Sequence, residues 1–447
     1  MITPMQFRHL SLLFIFLLSF TLVFQHSIKS DLPLSWDVWY HLRISRQFCE
    51  GEFVWDAGSF GPEGRPHIYP PLFHLFTALL YTITGIPLEI IAQVMAPFLF
   101  AASIVSFYFL VKEVVNEKVA LISCLLAAVC PILLDRGTSY TPEVVAFILF
   151  NVGVTFFLKG KWVITGLLGG LLVLTHGIAS VAFFSVIFTY CIFSFLIFKE
   201  NYWKLFFQVV IMSILISSFW LFRSVTTFLP YGGMHVLSYY PQKLGWIQTV
   251  LGILGITCLS KDRKSIFILS CAGVLLLLTR NPFSLPYRFI EFLAFPVCML
   301  AGIGLYHIVA SKRVEFLVVI FLIAFAQGYW YTEKYTPVIT EEEKTAFIWL
   351  STNSVKGYTV MCEWRTAPVL AYFSDTPPIK GAYQFGALAV EERTKDTTVF
   401  YTTYPQSLLS KYETSHIYYG KEEQGYKYAT PPFDKVYTSL QTGFYHC

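Results

Sequence analysis

Long apolar runs separated by short polar clusters fill the first three quarters of the chain. A helix needs roughly 20 apolar residues to cross a bilayer, and the runs have about that length. They predict about eleven membrane-spanning helices, near residues 9–27, 91–111, 119–134, 142–158, 162–176, 178–198, 205–222, 244–260, 265–279, 289–310 and 314–331. The pattern therefore predicts a polytopic α-helical membrane protein.

A further apolar segment, 72–86, is short for a span, follows Pro70-Pro71 and ends at Gly85. We predict that it forms a helix at or dipping into the outer face of the membrane. With a cytoplasmic N-terminus, the short loops rich in Lys and Arg then all fall on the cytoplasmic side, as membrane proteins prefer. These loops contain Lys112 and Lys118, Lys159 and Lys161, Lys199 and Lys204, Lys261 to Lys264, and Lys312 with Arg313.

The character of the sequence changes after residue 331. An amphipathic stretch from Glu341 is followed by short segments rich in Tyr, Thr and Val, which predict a small α/β domain. Strands are predicted at Tyr358–Cys362, Thr398–Tyr401, His416–Tyr419, Lys435–Ser439 and Gly443–Tyr445. We therefore divide the chain into a transmembrane domain, 1–331, which includes an outer loop, 28–90, and a C-terminal extracytoplasmic domain, 332–447.

Composition supports a cell-membrane protein, because 55% of the residues are apolar and only 13% are charged. The net charge is only +4, which gives no support for a nucleic-acid partner. The cysteines show no spacing typical of a zinc site. The lipid bilayer is the one partner that composition predicts directly.

Asp37 is the leading candidate for chemistry in the outer loop. It lies between Trp36 and Trp39, which are typical of a membrane interface, and His41 follows one helical turn later. A partly desolvated carboxylate there is suited to act as a general base or a metal ligand. The alternative is that Asp37 or Ser35 caps a helix.

Three other polar residues lie at outer ends of predicted spans. Glu143 follows Thr141-Pro142, a sequence that also fits an ordinary helix start. His176 and Arg288 are costly if they face lipid, so we expect them to face a cavity. Arg288 is suited to bind a lipid phosphate with its planar fork, or it pairs with Glu291 as a structural bridge.

Three motifs together resemble the GT-C superfamily of membrane glycosyltransferases, and above all the catalytic subunits of archaeal and bacterial oligosaccharyltransferases. They are Asp37-Val-Trp-Tyr-His41 in the first outer loop, Tyr69-Pro-Pro-Leu-Phe-His74, and Tyr140-Thr-Pro-Glu143. The resemblance implies an essential acidic residue at Asp37 and a second acidic position at Glu143. It departs from the family where a Trp-Trp-Asp-Tyr-Gly motif recognises the Asn-x-Ser/Thr acceptor, because this chain has Glu363-Trp-Arg-Thr-Ala367 there.

From the resemblance and the residues we predict transfer of a sugar or glycan from a polyprenyl-(di)phosphate donor to a glycan, lipid or protein acceptor on the outer face. Asp37 is the predicted base of an inverting single displacement. The predicted donor-binding residues are His41, His74, His176 and Arg288, and a divalent metal, Mg or Mn, is predicted at Asp37 and Glu143. The alternatives are an oligosaccharyltransferase acting on protein Asn, a non-catalytic GT-C-like protein that binds a lipid or a partner, and a transporter.

Overall fold

A computed structural model describes residues 4–227, 240–281, 285–311, 314–333, 337–381, 387–426, 433–438 and 442–446. The transmembrane domain consists of helices α1 (Pro4–Ser27), α2 (Trp36–Cys49), α3 (Leu72–Thr84), α4 (Leu88–Val114), α5 (Glu117–Ala128), α6 (Pro131–Gly137), α7 (Pro142–Leu158), α8 (Trp162–Val173), α9 (Gly177–Phe198), α10 (Trp203–Thr227), α11 (Tyr240–Leu244), α12 (Trp246–Thr257), α13 (Arg263–Leu278), α14 (Phe289–Ser311) and α15 (Val314–Glu333). A 3-10 helix, Pro286–Arg288, leads into α14, and a two-stranded hairpin, β1 (Trp55–Asp56) and β2 (Arg65–Pro66), lies in the outer loop.

Each predicted span coincides with one helix, except 119–134, which coincides with two, and this confirms a polytopic helical membrane protein. Within the described ranges, α1, α4, α9, α10, α14 and α15 are each long and apolar enough to cross a membrane, and the pair α5–α6 adds a seventh span if it is counted as one. The remaining predicted spans lie on α7, α8, α12 and α13, which have 12 to 17 residues. Length and composition alone therefore support six or seven spans rather than eleven.

The predicted span 119–134 is broken rather than continuous. Helix α5 ends at Ala128, and α6 continues from Pro131 at an angle of 67°. Proline lacks the backbone N–H that would continue the helix, and it holds the preceding Cys130 in an extended conformation. The break redirects the chain so that α6, which contains Arg136, lies across the end of the bundle.

Helix α3 covers most of the segment 72–86, and its placement at the outer face stays a prediction. At its start the Leu72 amide donates to the Leu174 carbonyl, at the end of α8, at 2.8 Å. It stops at Gly85, whose φ of +66° is readily adopted only by glycine, and α4 begins three residues later. With 13 residues, α3 is also too short to span the hydrocarbon core.

The C-terminal domain is a four-stranded mixed sheet covered by helices, as the sequence predicts. The helices are α16 (Glu341–Asn353), α17 (Ala367–Ser374), α18 (Val390–Thr403) and α19 (Gln406–Lys411), and a 3-10 helix spans Glu423–Gly425. The strands β3 (Thr359–Met361), β4 (Thr414–Tyr419), β5 (Asp434–Thr438) and β6 (Gly443–His446) have the order β3-β4-β6-β5, with only β3 and β4 parallel. Helix α16 begins with a capping box between Thr340 and Glu343.

The strand predicted at Thr398–Tyr401 is wrong, because these residues lie in α18. The prediction relied on their β-branched and aromatic character, which is only a weak preference. The helix is favoured by tertiary packing, since Arg393, Thr397, Phe400 and Tyr401 all lie on its buried face. The Tyr401 hydroxyl also lies within hydrogen-bond distance of two strand carbonyls, at 2.8 and 2.9 Å, and its one proton is shared between them.

The C-terminal domain packs directly on the outer loop. The Arg43 guanidinium donates to the Ala371 carbonyl, and Arg46 donates to the Tyr372 carbonyl at 2.8 Å. The Tyr372 hydroxyl donates to Glu89, at the start of α4, at 2.8 Å. These bonds fix the domain above the end of the bundle where the outer loop lies.

Arg393 provides a second, deeply buried link between the two parts. It donates to the carbonyls of Gly61 and Ile379 at 2.5 and 2.6 Å and pairs with Glu63. We expect Arg393→Ala to lower the free energy of unfolding by about 3 kcal/mol, because buried acceptors lose a charged donor. Thermal unfolding in detergent measures this loss. The control is Arg365→Ala in the exposed pair with Glu422; equal losses for both variants would contradict the expectation.

Candidate active site

A cluster of buried and partly buried charged side chains lies at one end of the bundle. The first turn of α2, the short helix α6 and the starts of α7, α9 and α14 meet there. They contribute Asp37, Arg136, Glu143, His176, Arg288 and Glu291. Residues far apart in the sequence, predicted to lie at one membrane face, are therefore brought into direct contact.

Arg288 lies at the centre of the cluster and contacts three carboxylates. Its Nη1 is 3.2 Å from Glu143 Oε1 and 3.4 Å from Glu291 Oε1, and its Nη2 is 3.7 Å from Asp37 Oδ2. Arg288 thus pairs with Glu291 and also faces Asp37. This geometry is compatible with both interpretations that the sequence left open, a structural bridge and a phosphate ligand. A planar guanidinium with several donors is suited to such multiple contacts.

Arg136 is the second cation of the cluster, and sequence reasoning did not select it. Its Nε lies 2.7 Å from Glu291 Oε1, and its Nη1 lies 4.0 Å from Asp37 Oδ2. In the sequence it follows Asp135 in an ordinary polar loop, so only the break before Pro131 shows that it turns into the bundle. Glu291 was considered only as a partner for Arg288, and it in fact joins both arginines.

Asp37 does not cap α2. The helix begins at Trp36, and the N-cap residue Ser35 makes no side-chain capping bond. The Asp37 carboxylate faces the two guanidiniums instead. Burial raises the pKa of Asp37 above its usual value, and Arg288 and Arg136 offset only part of that rise. A carboxylate with a raised pKa binds a proton more readily, which suits a general base.

His176 combines a structural and a polar role. It is the N-cap of α9, where its Nδ1 accepts a hydrogen bond from the Ala179 amide at 3.2 Å. Because Nδ1 is an acceptor, the proton of the neutral ring lies on Nε2, which is 3.5 Å from Glu143 Oε1. Thr141 is the N-cap of α7 as predicted, but its side chain makes no capping bond.

His41 and His74 form a separate buried pair beside the cluster. His41 Nδ1 lies 2.9 Å from His74 Nε2, and Tyr40 and Tyr69 pack around the two rings. Burial lowers the pKa of His41 to about 3 and also lowers the pKa of His74. Both rings are therefore neutral near pH 7. The structure brings Asp37, Glu143, His176 and Arg288 together, whereas His41 and His74 bond to each other.

The predicted metal pair, Asp37 and Glu143, has the carboxylate chemistry that Mg²⁺ and Mn²⁺ prefer. The Arg288 guanidinium lies between the two carboxylates, so a cation bound by both would have to displace it. Across the described ranges, no three or more His, Cys, Asp or Glu side chains are placed to hold a metal ion. This arrangement does not fit a shared cation, and the metal pair stays a prediction.

Two carboxylate oxygens in the cluster have no hydrogen-bond partner among the described residues. They are Glu143 Oε2 and Glu291 Oε2, and both are buried. A buried acceptor without a donor is costly, so it usually has a partner such as water or a ligand. A hydroxyl group from a bound molecule would supply that donor.

The C-terminal domain contributes an aromatic side chain that contacts Trp36, the residue before Asp37. The Trp364 ring meets the Trp36 ring edge to face, with centroids 5.2 Å apart. The turn that carries Trp364 is held by Glu423, whose carboxylate accepts from the amides of Glu363 and Gly420 at 2.8 and 3.1 Å. The segment Glu363-Trp-Arg, where the sequence departs from the oligosaccharyltransferase motif, therefore reaches α2 beside Asp37 through the ring of Trp364.

No protein-family model matches the chain, and no curated protein matches it by sequence. Solved structures match across almost its whole length. The oligosaccharyltransferase AglB of Archaeoglobus fulgidus, in complex with an inhibitory peptide and a dolichol-phosphate, has a TM-score of 0.74 and 13% identity over 94% of this chain and 70% of that one. ArnT of Cupriavidus metallidurans, bound to undecaprenyl phosphate, has a TM-score of 0.67 and 12% identity over 99% and 98%.

The mycobacterial arabinofuranosyltransferase AftD also matches, with a TM-score of 0.62 and 12% identity over all of this chain and 42% of its own. All three are GT-C membrane glycosyltransferases. The chain has the GT-C fold. At 11 to 14% identity these likenesses show the fold alone. One AglB structure was determined in complex with Zn and sulfate.

We expect Arg288→Met to lower the free energy of unfolding by about 3–5 kcal/mol, because three carboxylates would lose their shared cation in a buried place. Thermal unfolding in detergent measures this. Arg263→Met removes an exposed arginine that pairs with Glu200 at a loop, and it should change stability by less than about 1 kcal/mol. A loss for Arg288→Met no larger than for Arg263→Met would show that the cluster does not depend on this cation.

Proposed function

We propose that the protein is a membrane glycosyltransferase that moves a sugar or glycan from a polyprenyl-(di)phosphate donor to an acceptor at the outer face of the membrane. The observation that carries this proposal is the contact of Asp37 with the guanidiniums of Arg136 and Arg288 at one end of a GT-C fold. A carboxylate and two phosphate-binding groups within one small site are the parts that such a transfer needs. In this proposal the N-terminus is cytoplasmic and the C-terminal domain is extracytoplasmic.

Arg136 and Arg288 are the proposed ligands of the donor phosphate. Guanidinium groups bind phosphate with paired hydrogen bonds, and the AglB and ArnT structures were solved with dolichol-phosphate and undecaprenyl phosphate, respectively. The phosphate is a leaving group that gains negative charge as the bond to the sugar breaks. Fixed positive groups stabilise that charge, and they do so more strongly in a site shielded from water. His176, with its proton on Nε2, is a further donor at the edge of the site.

Asp37 is the proposed general base. The acceptor oxygen forms a bond to the anomeric carbon of the sugar while the bond from that carbon to the phosphate oxygen breaks. Asp37 takes the proton of the acceptor hydroxyl, and polyprenyl-(di)phosphate leaves with the bonding electrons. One displacement of this kind inverts the configuration at the sugar carbon. Glu143 Oε2, which is buried and has no hydrogen-bond partner among the described residues, is the proposed acceptor of a hydrogen bond from the acceptor hydroxyl.

The acceptor is proposed to be a glycan, a lipid or a protein site other than the Asn-x-Ser/Thr motif. The support is Glu363-Trp-Arg-Thr-Ala367, which lacks the Asp and Gly of the family's motif and places Trp364 over Trp36. A transporter fits less well, because the ionisable groups gather at one end of the bundle rather than at its midplane. A non-catalytic protein of the same fold remains the main competing function.

Replacing the base tests the proposal directly. Membranes containing wild type or Asp37→Asn are incubated with radiolabelled polyprenyl-phosphate and polyprenyl-diphosphate sugars, and the label that leaves the lipid is counted. We expect Asp37→Asn to lower transfer by about 10²–10⁴-fold, the usual contribution of a general base. Asp31→Asn, at an exposed position in the same loop, should retain activity. Full activity in Asp37→Asn would exclude this base, and donor binding without transfer in wild type would favour the non-catalytic protein.

The pH dependence has a defined sign. Asp37 acts as a base only when it is ionised, so transfer should fall as the pH drops through its raised pKa. Asn cannot ionise, so the residual rate of Asp37→Asn should lack this acidic decline. A decline that is unchanged in Asp37→Asn would assign it to another group.

Chelation tests whether the arginines are sufficient without a divalent cation. Because the Arg288 guanidinium lies between Asp37 and Glu143, we expect transfer to persist in EDTA. Arg288→Lys keeps the charge but loses the fork, so it should lower transfer in the presence and absence of EDTA alike. Loss of wild-type activity in EDTA that added Mg²⁺ or Mn²⁺ restores would instead support the predicted metal pair.

A further inference from the structure

Three consecutive large apolar side chains are exposed at the tip of the outer loop. Phe53, Val54 and Trp55 are 47%, 62% and 47% exposed, and Trp55 is the first residue of β1 in the β1–β2 hairpin. Clusters of exposed apolar side chains mark surfaces that contact another molecule or a membrane. We refer to Phe53-Val54-Trp55 as the loop tip.

The loop tip lies at the outer end of a membrane-spanning helix. Arg223, in the last turns of α10, donates to the Val54 carbonyl. On the same helix, Phe219 is 63% exposed and Phe222 is also highly exposed, as expected of residues that face lipid tails. The bond from Arg223 therefore holds Val54 next to the part of α10 that carries these exposed aromatic side chains.

The neighbouring surface of the outer loop is apolar as well. Helix α3 exposes Leu75, Leu79 and Ile83 on the side away from the bundle. It begins beside Leu174 at the end of α8, and α8 packs on α10 through the bond from Ser213 to the Gly166 carbonyl at 3.0 Å. The loop tip and the exposed face of α3 thus lie along the same edge of the bundle, formed by α8 and α10.

The Val54 carbonyl, at the centre of the loop tip, has hydrogen-bond partners within the protein. The Val54 carbonyl accepts from Arg223 and from the His67 amide, the latter at 2.9 Å. This matters because an unpaired carbonyl is costly in a lipid environment. Two exposed carboxylates, Glu50 and Glu52, precede the tip and favour water. These features are compatible with shallow insertion of the loop tip into a membrane and not with deep insertion.

We propose that the loop tip inserts into the interfacial region of the outer leaflet and anchors the outer loop to the membrane. The partner is the lipid bilayer, where tryptophan and phenylalanine are favoured at the boundary between headgroups and tails. Helix α2 leads from Asp37 to Cys49, close to the loop tip. The ring centroids of Phe48 and Phe53 are 5.1 Å apart. The anchor therefore holds the helix that carries Asp37 at a fixed depth, whether or not the protein is an enzyme.

Photo-crosslinking to lipid tests the anchor. The photoreactive residue p-benzoylphenylalanine replaces Phe53 in the full chain, reconstituted in nanodiscs with radiolabelled phosphatidylcholine. Two controls bracket the result: the same residue at Phe219, which faces lipid, and at Leu388, which is 64% exposed in the C-terminal domain. We expect labelling of lipid at position 53 to approach that at 219 and to exceed that at 388 several-fold.

Labelling at position 53 as low as at position 388, or crosslinks from 53 to the protein itself, would overturn the proposal. A second variant separates insertion from chance proximity. Adding Val54→Asp puts a charge into the tip, so lipid labelling at 53 should fall to the level seen at 388. Unchanged labelling in that variant, with unchanged thermal unfolding, would also overturn the proposal. None of these measurements requires transferase activity, so failure of the anchor and failure of the proposed function are distinguished.

Discussion

Charges that are removed from water must be compensated by one another, and this constraint shapes the end of the bundle that faces the C-terminal domain. Arg288 is close to Asp37, Glu143 and Glu291, and Arg136 joins two of the same carboxylates. These contacts form only because five helix segments lie at the same level of the bundle: the first turn of α2, the short helix α6, and the starts of α7, α9 and α14. The compensation is incomplete, since three acidic groups face two guanidiniums and two carboxylate oxygens have no partner among the described residues. A site of this kind is prepared to exchange internal partners for those of a ligand.

The hydrophobic pattern predicted the positions of the spanning helices well, because burial in lipid acts on each run of residues locally. It did not predict the break at Pro131, since the run from 119 to 134 is apolar throughout and only its packing separates α5 from α6. In the C-terminal domain the strands at 359–361, 414–419, 434–438 and 443–446 were predicted, whereas Thr398–Tyr401 was assigned to the wrong element. There, contacts distant in sequence outweighed the local preference of β-branched residues.

In the site, too, some residues could be predicted from their local sequence, whereas others depended on contacts distant in sequence. Asp37, Glu143, His176 and Arg288 were recognisable because an ionisable residue at a membrane boundary is unusual on its own. Arg136 was not recognisable, because the sequence around it resembles an ordinary polar loop. Its direction depends on the break before Pro131, which places it in α6. His41 and His74 occur in conspicuous motifs, yet they bond to each other beside the cluster. A sequence shows which residues need a partner more readily than it shows which partner they find.

The broken helix has a consequence for how the two domains depend on each other. At the break, Gly328 of α15 lies so close to the Val129 carbonyl that a side chain there would collide with it. Helix α15 is also the segment that leads into the C-terminal domain. One helix thus supports the turn that aims Arg136 and leads into the domain whose Trp364 contacts Trp36, next to Asp37. The cluster and its cover are therefore not independent modules, and an exchange of C-terminal domains between relatives would have to include α15 to keep the arginine in place.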